Sequence, residues 1–301
     1  MTSAILCLFW TFVSLAILAA GYLHAYGFKS SQIFNDILLF GKLHDTQRKR
    51  TVIQYIEVPK RWFYHFYLVG VIVNSCVCYH VTVAYVYMAH PPAIIEGPVK
   101  FLQSSHHANI DAATAIMLLA MMCVQTGRRL VECLCVSVYS HSTINIFHYI
   151  YGIVFYASFG ATVLSEAPAF NGQTRVHVAD FFKWQCILGM AMFLYASWQQ
   201  YNIHVMFARL RQNKAGGRSD LKHHIPRGGW FEVVSCPHYL MELVIYSTLL
   251  VMSSLTHRAL WTVTLSVFVS QMTTGHFTHR WYHEHFEKYT HRRTAVIPFV
   301  F

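Results

Sequence analysis

Several stretches of this 301-residue sequence place side chains capable of chemistry inside or beside apolar runs. Gln125-Thr-Gly-Arg-Arg-Leu-Val-Glu132 interrupts an apolar stretch that resumes directly after both arginines. Ionisable groups at such depth are costly to desolvate and face a cavity, a partner or a ligand. The competing reading is that Arg128 and Arg129 snorkel to headgroups at a helix end. Gln199-Gln-Tyr-Asn-Ile-His204 sets Gln200 and His204 four apart, on one helix face leading into Arg209 and Arg211. That face suits either packing or a ligand.

The richest stretch runs from Lys222 to Glu242 and contains His223-His-Ile-Pro-Arg-Gly-Gly-Trp and Ser235-Cys-Pro-His-Tyr-Leu-Met-Glu. Gly228-Gly229 allows a sharp turn and a close backbone approach to a ligand. Pro237 stands where a helix can begin, with Ser235 as a cap, and amides exposed there favour an anion. His238 and Glu242 then lie one turn apart as that helix enters an apolar run. A structural turn accounts for the glycines but not for this pair. The tail places His276, His279, His283 and His285 among aromatic and basic residues. It reads as a solvated amphipathic tail, and no second histidine box faces the His279/His283 step, so no metal is assigned. Glu57, before the apolar run at 63–88, suits either an ion pair with Lys60 or Arg61 or a desolvated acid able to donate to a carbonyl.

The elements that must position these groups follow from composition. Hydrophobic residues make up 55% of the chain and charged ones 12%, against roughly a quarter charged in soluble domains. Apolar runs reach the ~20 residues that cross a bilayer. The pattern predicts an all-α, multi-span transmembrane bundle of seven helices, one domain over residues 1–301: Ala4–Gly27, Phe63–Met88, Ala108–Val138, Thr143–Leu164, Phe181–Phe207, Tyr239–Leu255 and Ala259–Phe277. The first run lacks a basic leader and reads as a retained helix. Cysteines in apolar runs, without a C-x-x-C pair, read as small buried hydrophobes. The formal charge of +10 comes from 23 Lys and Arg against 13 Asp and Glu. These charges lie between spans and form no continuous face for nucleic acid. All but Lys100, Arg175, Lys183 and Arg258 fall on one side of a seven-span arrangement, which predicts a lumenal N-terminus and a cytosolic C-terminus.

The run His224-Ile-Pro-Arg-Gly-Gly-Trp-Phe-Glu-Val-Val-Ser-Cys-Pro-His-Tyr-Leu-Met-Glu resembles the C-terminal signature of steroid 5α-reductases, as does Trp281 to Phe299 with its His291-Arg-Arg-Thr-Ala-Val-Ile-Pro. Arg128-Arg-Leu-Val-Glu-Cys-Leu-Cys-Val-Ser-Val-Tyr-Ser, Glu57-Val-Pro-Lys-Arg-Trp-Phe-Tyr-His-Phe-Tyr and Leu210-Arg-Gln-Asn-Lys-Ala-Gly are similar to the polyprenol (polyprenal) reductase branch of that family. The likeness covers about residues 50–301, leaving a first span and basic loop before it. It implies a multi-pass endoplasmic-reticulum enzyme that uses NADPH to saturate a double bond beside a carbonyl. On this branch the substrate is a long-chain isoprenoid lipid on the route to dolichol and protein N-glycosylation, and no obligate protein partner is implied. The family's acid falls on Glu57. Its cofactor contacts fall on Arg129, Gln200, His204, Arg211, His224, His238, Glu242, Tyr282 and Arg293. Two departures stand out. His238 occupies a position where the family usually has Asn, and Thr126 replaces the tyrosine that pairs with the acid in steroid-reducing members.

The residues support this chemistry independently. A basic mouth of Arg211, Lys214, Arg218, Lys222 and Arg293 suits a polyanionic dinucleotide. His238 and Glu242 offer a donor and an acceptor to an amide, and a protonated Glu57 could meet charge developing on an enolate oxygen. No G-x-G-x-x-G follows a strand, so a dinucleotide site here is not of Rossmann type. The rival readings are a 3-oxo-steroid Δ4 reductase, an isoprenylcysteine-type membrane methyltransferase and a seven-span receptor. The Ile-Pro signature opposes the methyltransferase, and a receptor needs no Arg129/Glu132/Glu242 set.

Overall fold

The computed structural model describes residues 3–25, 56–103, 108–140, 142–212, 223–290 and 292–300. Eight α-helices occur among them: α1 (Ser3–Ala25), α2 (Phe63–Tyr87), α3 (Ala93–Leu102), α4 (Ala112–Val131), α5 (Ile146–Leu164), α6 (Trp184–Arg209), α7 (Pro237–Met252) and α8 (Arg258–His285). Seven of them fall on the expected spans. The addition is α3, a short amphipathic helix that starts directly after Pro91-Pro92 and carries a Glu96–Lys100 pair one turn apart. Helices α1, α2, α4 and α5 are long and apolar enough to cross a membrane, and α7 is a shorter apolar helix. The outer faces of α1, α2 and α6 expose Leu8, Phe12, Ile72 and Trp198, apolar surface that lipid can solvate.

Several element ends differ from the sequence expectation, each for a local reason. Helix α4 starts at Ala112, four residues late, because the Asp111 carboxylate caps it, accepting from the Thr114 amide (3.1 Å) and hydroxyl (2.7 Å). It ends in a single π-helical turn over Glu132–Val136. The start of the expected fourth span is instead strand β2 (Thr143–Asn145), antiparallel to β1 (Glu57–Pro59), with Glu57 opposite Asn145 and Pro59 opposite Thr143. Asn145 then caps α5 by accepting from the Phe147 amide (2.8 Å). A 3₁₀ turn over Val178–Phe182 delays α6 to Trp184. Pro237 does begin α7, but the cap is Cys236 without a side-chain bond. The Ser235 hydroxyl is spent elsewhere, on His279 and Tyr289. Helix α8 continues past Phe277 to His285, taking the first half of the expected tail into the bundle.

Small residues set the closest helix contacts, as they do where packing rather than water drives association. A Cβ at Gly70 of α2 would stand 2.7 Å from the Thr126 methyl of α4. One at Gly189 of α6 would stand 2.3 Å from Met252 of α7. Phe155, Phe159, Tyr246 and Leu118 pack at the centre. At one end of the bundle the buried Glu166 carboxylate accepts from the Arg258 and Ala259 amides (both 3.0 Å), countering the N-terminal dipole of α8, and also binds the Asn109 amide. At the other end the chain after α8 returns to the start of α7. Ser235 N donates to Thr294 O (2.8 Å), Cys236 N to Ala295 O (3.0 Å) and Thr294 N to Val233 O (3.2 Å).

Candidate active site

The Gly70–Thr126 contact brings α2 and α4 close, and one turn further along sit Tyr67 and Arg129. The Arg129 Nε donates to the Tyr67 hydroxyl at 3.3 Å, and its guanidinium lies over the phenol ring, 5.0 Å from the centroid. The other end of Arg129 meets the carboxylate of Glu132, which is 1% exposed and is also bound by Arg128. Positions i+3 and i+4 from the two arginines bring one acid onto both. Arg128 therefore turns inward instead of snorkelling. It donates to the Gln125 carbonyl (2.7 Å) and to that of Gln200. Both glutamine amides in turn donate to Glu242, from Gln125 at 3.4 Å and from Gln200. An ionic pair on α4 is thus wired through two buried amides to a carboxylate on α7.

His204 joins this network through one nitrogen. Its Nδ1 stands 2.6 Å from the Glu132 carboxylate and 2.6 Å from the Arg129 guanidinium. A single ring nitrogen either donates to the acid or accepts from the arginine, so the two contacts belong to alternative tautomers. The network borders a cavity of about 570 Å³ lined by Arg129, Gln200, His204, Arg211, His224, His238, Glu242 and Tyr282, together with Lys60, Tyr67, His148 and Tyr156. That volume lies in the usual range for small-molecule sites.

Eight of the expected residues therefore meet around one cavity. Arg211, beyond the end of α6, donates to the Val138 carbonyl at 2.7 Å. Burial pulls its guanidinium below the ordinary arginine value, while the Tyr282 phenol acts in the opposite direction. The remaining three stand outside the lining. The Glu57 carboxylate accepts from the Thr143 hydroxyl across the β1–β2 pair. Thr126 is fully buried, and its hydroxyl donates to the Met122 carbonyl at 2.8 Å. Arg293 is buried behind the wall, donating to Pro226 O (3.0 Å), facing Glu232 (3.5 Å) and lying over Tyr289. There it pins the Gly228–Gly229 turn, whose residues take φ of 91° and 55°. Tyr289 stacks on Tyr282 at 5.1 Å, and burial raises its phenol pKa above the ordinary value. Lys214, Arg218 and Lys222 lie outside the described residues.

Sequence reasoning did not single out Tyr67, Tyr156, His148 or Lys60. The two tyrosines and His148 sit in apolar, aromatic-rich runs where they look like packing residues. Lys60 reads from sequence as an ion-pair partner for Glu57 and as one charge of the basic first connection, not as a cavity residue. Tyr67 closes the family-like segment that begins at Glu57, but that resemblance assigns it no role.

Fold and site together define a multi-pass membrane protein with a polar, arginine-bearing cavity inside its helical bundle. A family profile described as 3-oxo-5-alpha-steroid 4-dehydrogenase matches residues 142–301. The chain is 34% identical over 275 residues to the protein named polyprenal reductase from Xenopus tropicalis, covering 89% of this chain and 88% of that one. To the human protein of the same name it is 34% identical over 274 residues, covering 89% and 86%. To that of Danio rerio it is 32% identical over 303 residues, covering 99% and 98%. The chain belongs to the steroid 5α-reductase family.

Proposed function

We propose that the chain reduces the α-isoprene double bond of polyprenal with NADPH, yielding dolichal on the route to dolichol. The observation that carries this reading is the convergence on one cavity of Arg129, Gln200, His204, Arg211, His224, His238, Glu242 and Tyr282, residues drawn from four helices and the segments that follow or precede them. Their chemistry suits the cofactor. Gln200 and Glu242 present an amide and a carboxylate, the donor and acceptor that a carboxamide needs. Arg211 and Lys60 supply positive charge for phosphates on the wall nearer the chain ends of α2 and α6. When bound, NADPH supplies the hydride. The protein's own work is to hold the isoprenoid carbonyl where charge develops, to exclude water, and to stabilise the oxygen as it becomes anionic.

The near-full-length relatives named polyprenal reductase favour an isoprenoid enal. The substrate chemistry favours the aldehyde over the alcohol. An allylic alcohol has no electron-withdrawing group, whereas an enal passes the added charge to its carbonyl oxygen. The family profile's printed description keeps a 3-oxo-steroid Δ4 reduction as the second reading. By resemblance the family's acid position is Glu57, which lies on the β1–β2 pair outside the cavity lining and accepts from Thr143, and Thr126 stands where a partner tyrosine is usual. By resemblance the protein resides in the endoplasmic-reticulum membrane, and the distribution of Lys and Arg supports a cytosolic Arg211 end.

The test offers polyprenal, polyprenol and a steroid enone in parallel to the purified protein with NADPH. Preferential consumption of polyprenal supports the reading. Turnover of the alcohol with no aldehyde formed, or a clear preference for the steroid, overturns it.

A further inference from the structure

We propose that Tyr67 is the catalytic hydrogen-bond and proton donor to the substrate carbonyl oxygen. This deepens the preceding reading and rests on it to the extent that the substrate carries an unsaturated carbonyl. A phenol oxygen accepts through lone pairs and donates through one O–H. The Arg129 Nε already donates to that oxygen, at 3.3 Å. The Tyr67 proton is therefore directed elsewhere, and the ring borders the same cavity as Gln200 and Glu242. Among the described residues the phenol makes no hydrogen bond other than that from Arg129, and Glu242 and Cys133 are the other titratable groups that act on it.

The surroundings favour a donor. The guanidinium lies over the ring, 5.0 Å from its centroid, and draws charge from the phenol. Arg129 is itself fixed by Glu132 and His204, and the ring is held against Tyr156 at 5.2 Å. An orienting group behind a pre-placed donor is what stabilisation of a developing oxyanion requires. The alternative on the facing helix is closed, since the Thr126 hydroxyl gives its proton to the Met122 carbonyl and its methyl is set against Gly70.

The chemistry balances. The β-carbon takes up the hydride with its electron pair, and the C=C pair shifts toward the carbonyl. The oxygen gains the negative charge, and Tyr67 transfers its proton there to give an enol. The α-carbon then takes a proton from water as the enol proton returns to the phenolate. One hydride and one proton have been added.

The experiment compares wild type with Tyr67→Phe, and with 3,5-difluorotyrosine at position 67, using polyprenal and NADPH. NADPH affinity is read separately from the enhancement of its fluorescence on binding. Tyr67→Phe should lower kcat about 10²–10³-fold, the usual loss of one oxyanion donor, with NADPH affinity unchanged. The donor must be protonated, so kcat falls as pH rises through its pKa, and the more acidic difluorotyrosine should move that limb to lower pH. Retained kcat in Tyr67→Phe overturns the proposal. So does an unshifted limb with difluorotyrosine, which stands whether or not the Phe variant folds. If wild type ignores polyprenal but reduces a steroid enone, the substrate reading fails and the same comparison on the enone decides Tyr67. Inertness toward every enal and enone removes both.

Discussion

Replacing Glu132 by alanine tests whether the buried ionic network holds α4 against α6. Glu132 is shared by Arg128, Arg129 and His204. Its removal leaves two guanidinium groups facing each other in a low-dielectric space. Breaking a buried pair costs ~3–5 kcal/mol, chiefly through the charge left uncompensated. The Arg128 and Arg129 side chains keep 17% and 15% exposure, enough for water from the cavity to reach them, so the lower end applies, about 3 kcal/mol. At ~2–4 °C per kcal/mol for a large domain, the expected fall in Tm is roughly 6–12 °C. Glu132→Gln keeps the volume and one acceptor and should fall about half as far. Thermal unfolding of the detergent-purified protein reads this directly. Arg280→Ala provides the comparison, because its pair with Glu284 is 57% and 52% exposed and should leave Tm within about 2 °C. A Glu132→Ala Tm no lower than that of Arg280→Ala would refute the argument that this carboxylate holds the helices together.

Arg211→Ala should raise the KM for NADPH about tenfold or more, the loss of one charge-assisted hydrogen bond, with the weaker NADH rate little changed; equal losses with both cofactors would point to the Val138 contact instead. Glu242→Ala should be produced at normal yield yet lose NADPH affinity, because Gln125 and Gln200 stay in place while the acceptor they share is gone; full affinity by fluorescence titration would dismiss the assignment. Gly275→Ala should cost about 1–3 kcal/mol through overpacking, since the new Cβ would stand 2.1 Å from the Val296 side chain; Val296→Ala in the same chain should restore part of the lost Tm, and no restoration would mean that the strain lies elsewhere.

Helix existence was legible because each span is a long apolar run with its own boundary chemistry. The ends were less so, since hydropathy marks where apolar sequence stops, while capping marks where a helix does. Asp111 and Asn145 are both cap residues whose side chains decide the starts of α4 and α5. The β1–β2 pair is three residues on each side, too short for any alternation to register. Helix α8 outran its apolar run because His279 and Tyr282 find partners in Ser235 and Tyr289, which no local pattern reveals. The Arg128/Arg129/Glu132 spacing was readable as a helical ion set. What it could not show is that Gln125 and Gln200 carry that set across to Glu242. The contacts between helices on that route join residues 42 to 117 positions apart and depend on how closely the helices pack.

The return of the chain after α8 to the start of α7 has a consequence for local opening. Backbone pairing between 233–236 and 294–295 closes a loop of about sixty residues that contains both helices, and the entropy of that closure is released only when the whole loop opens. The amides of Ser235, Cys236 and Thr294 should therefore exchange with solvent deuterium at the rate of the α7–α8 hairpin, as one cooperative unit. Thr294 lies close to the described C-terminal end, where fraying is the ordinary expectation. Slow exchange at that single amide would thus report the stability of the Glu242 wall, with no probe placed inside the membrane.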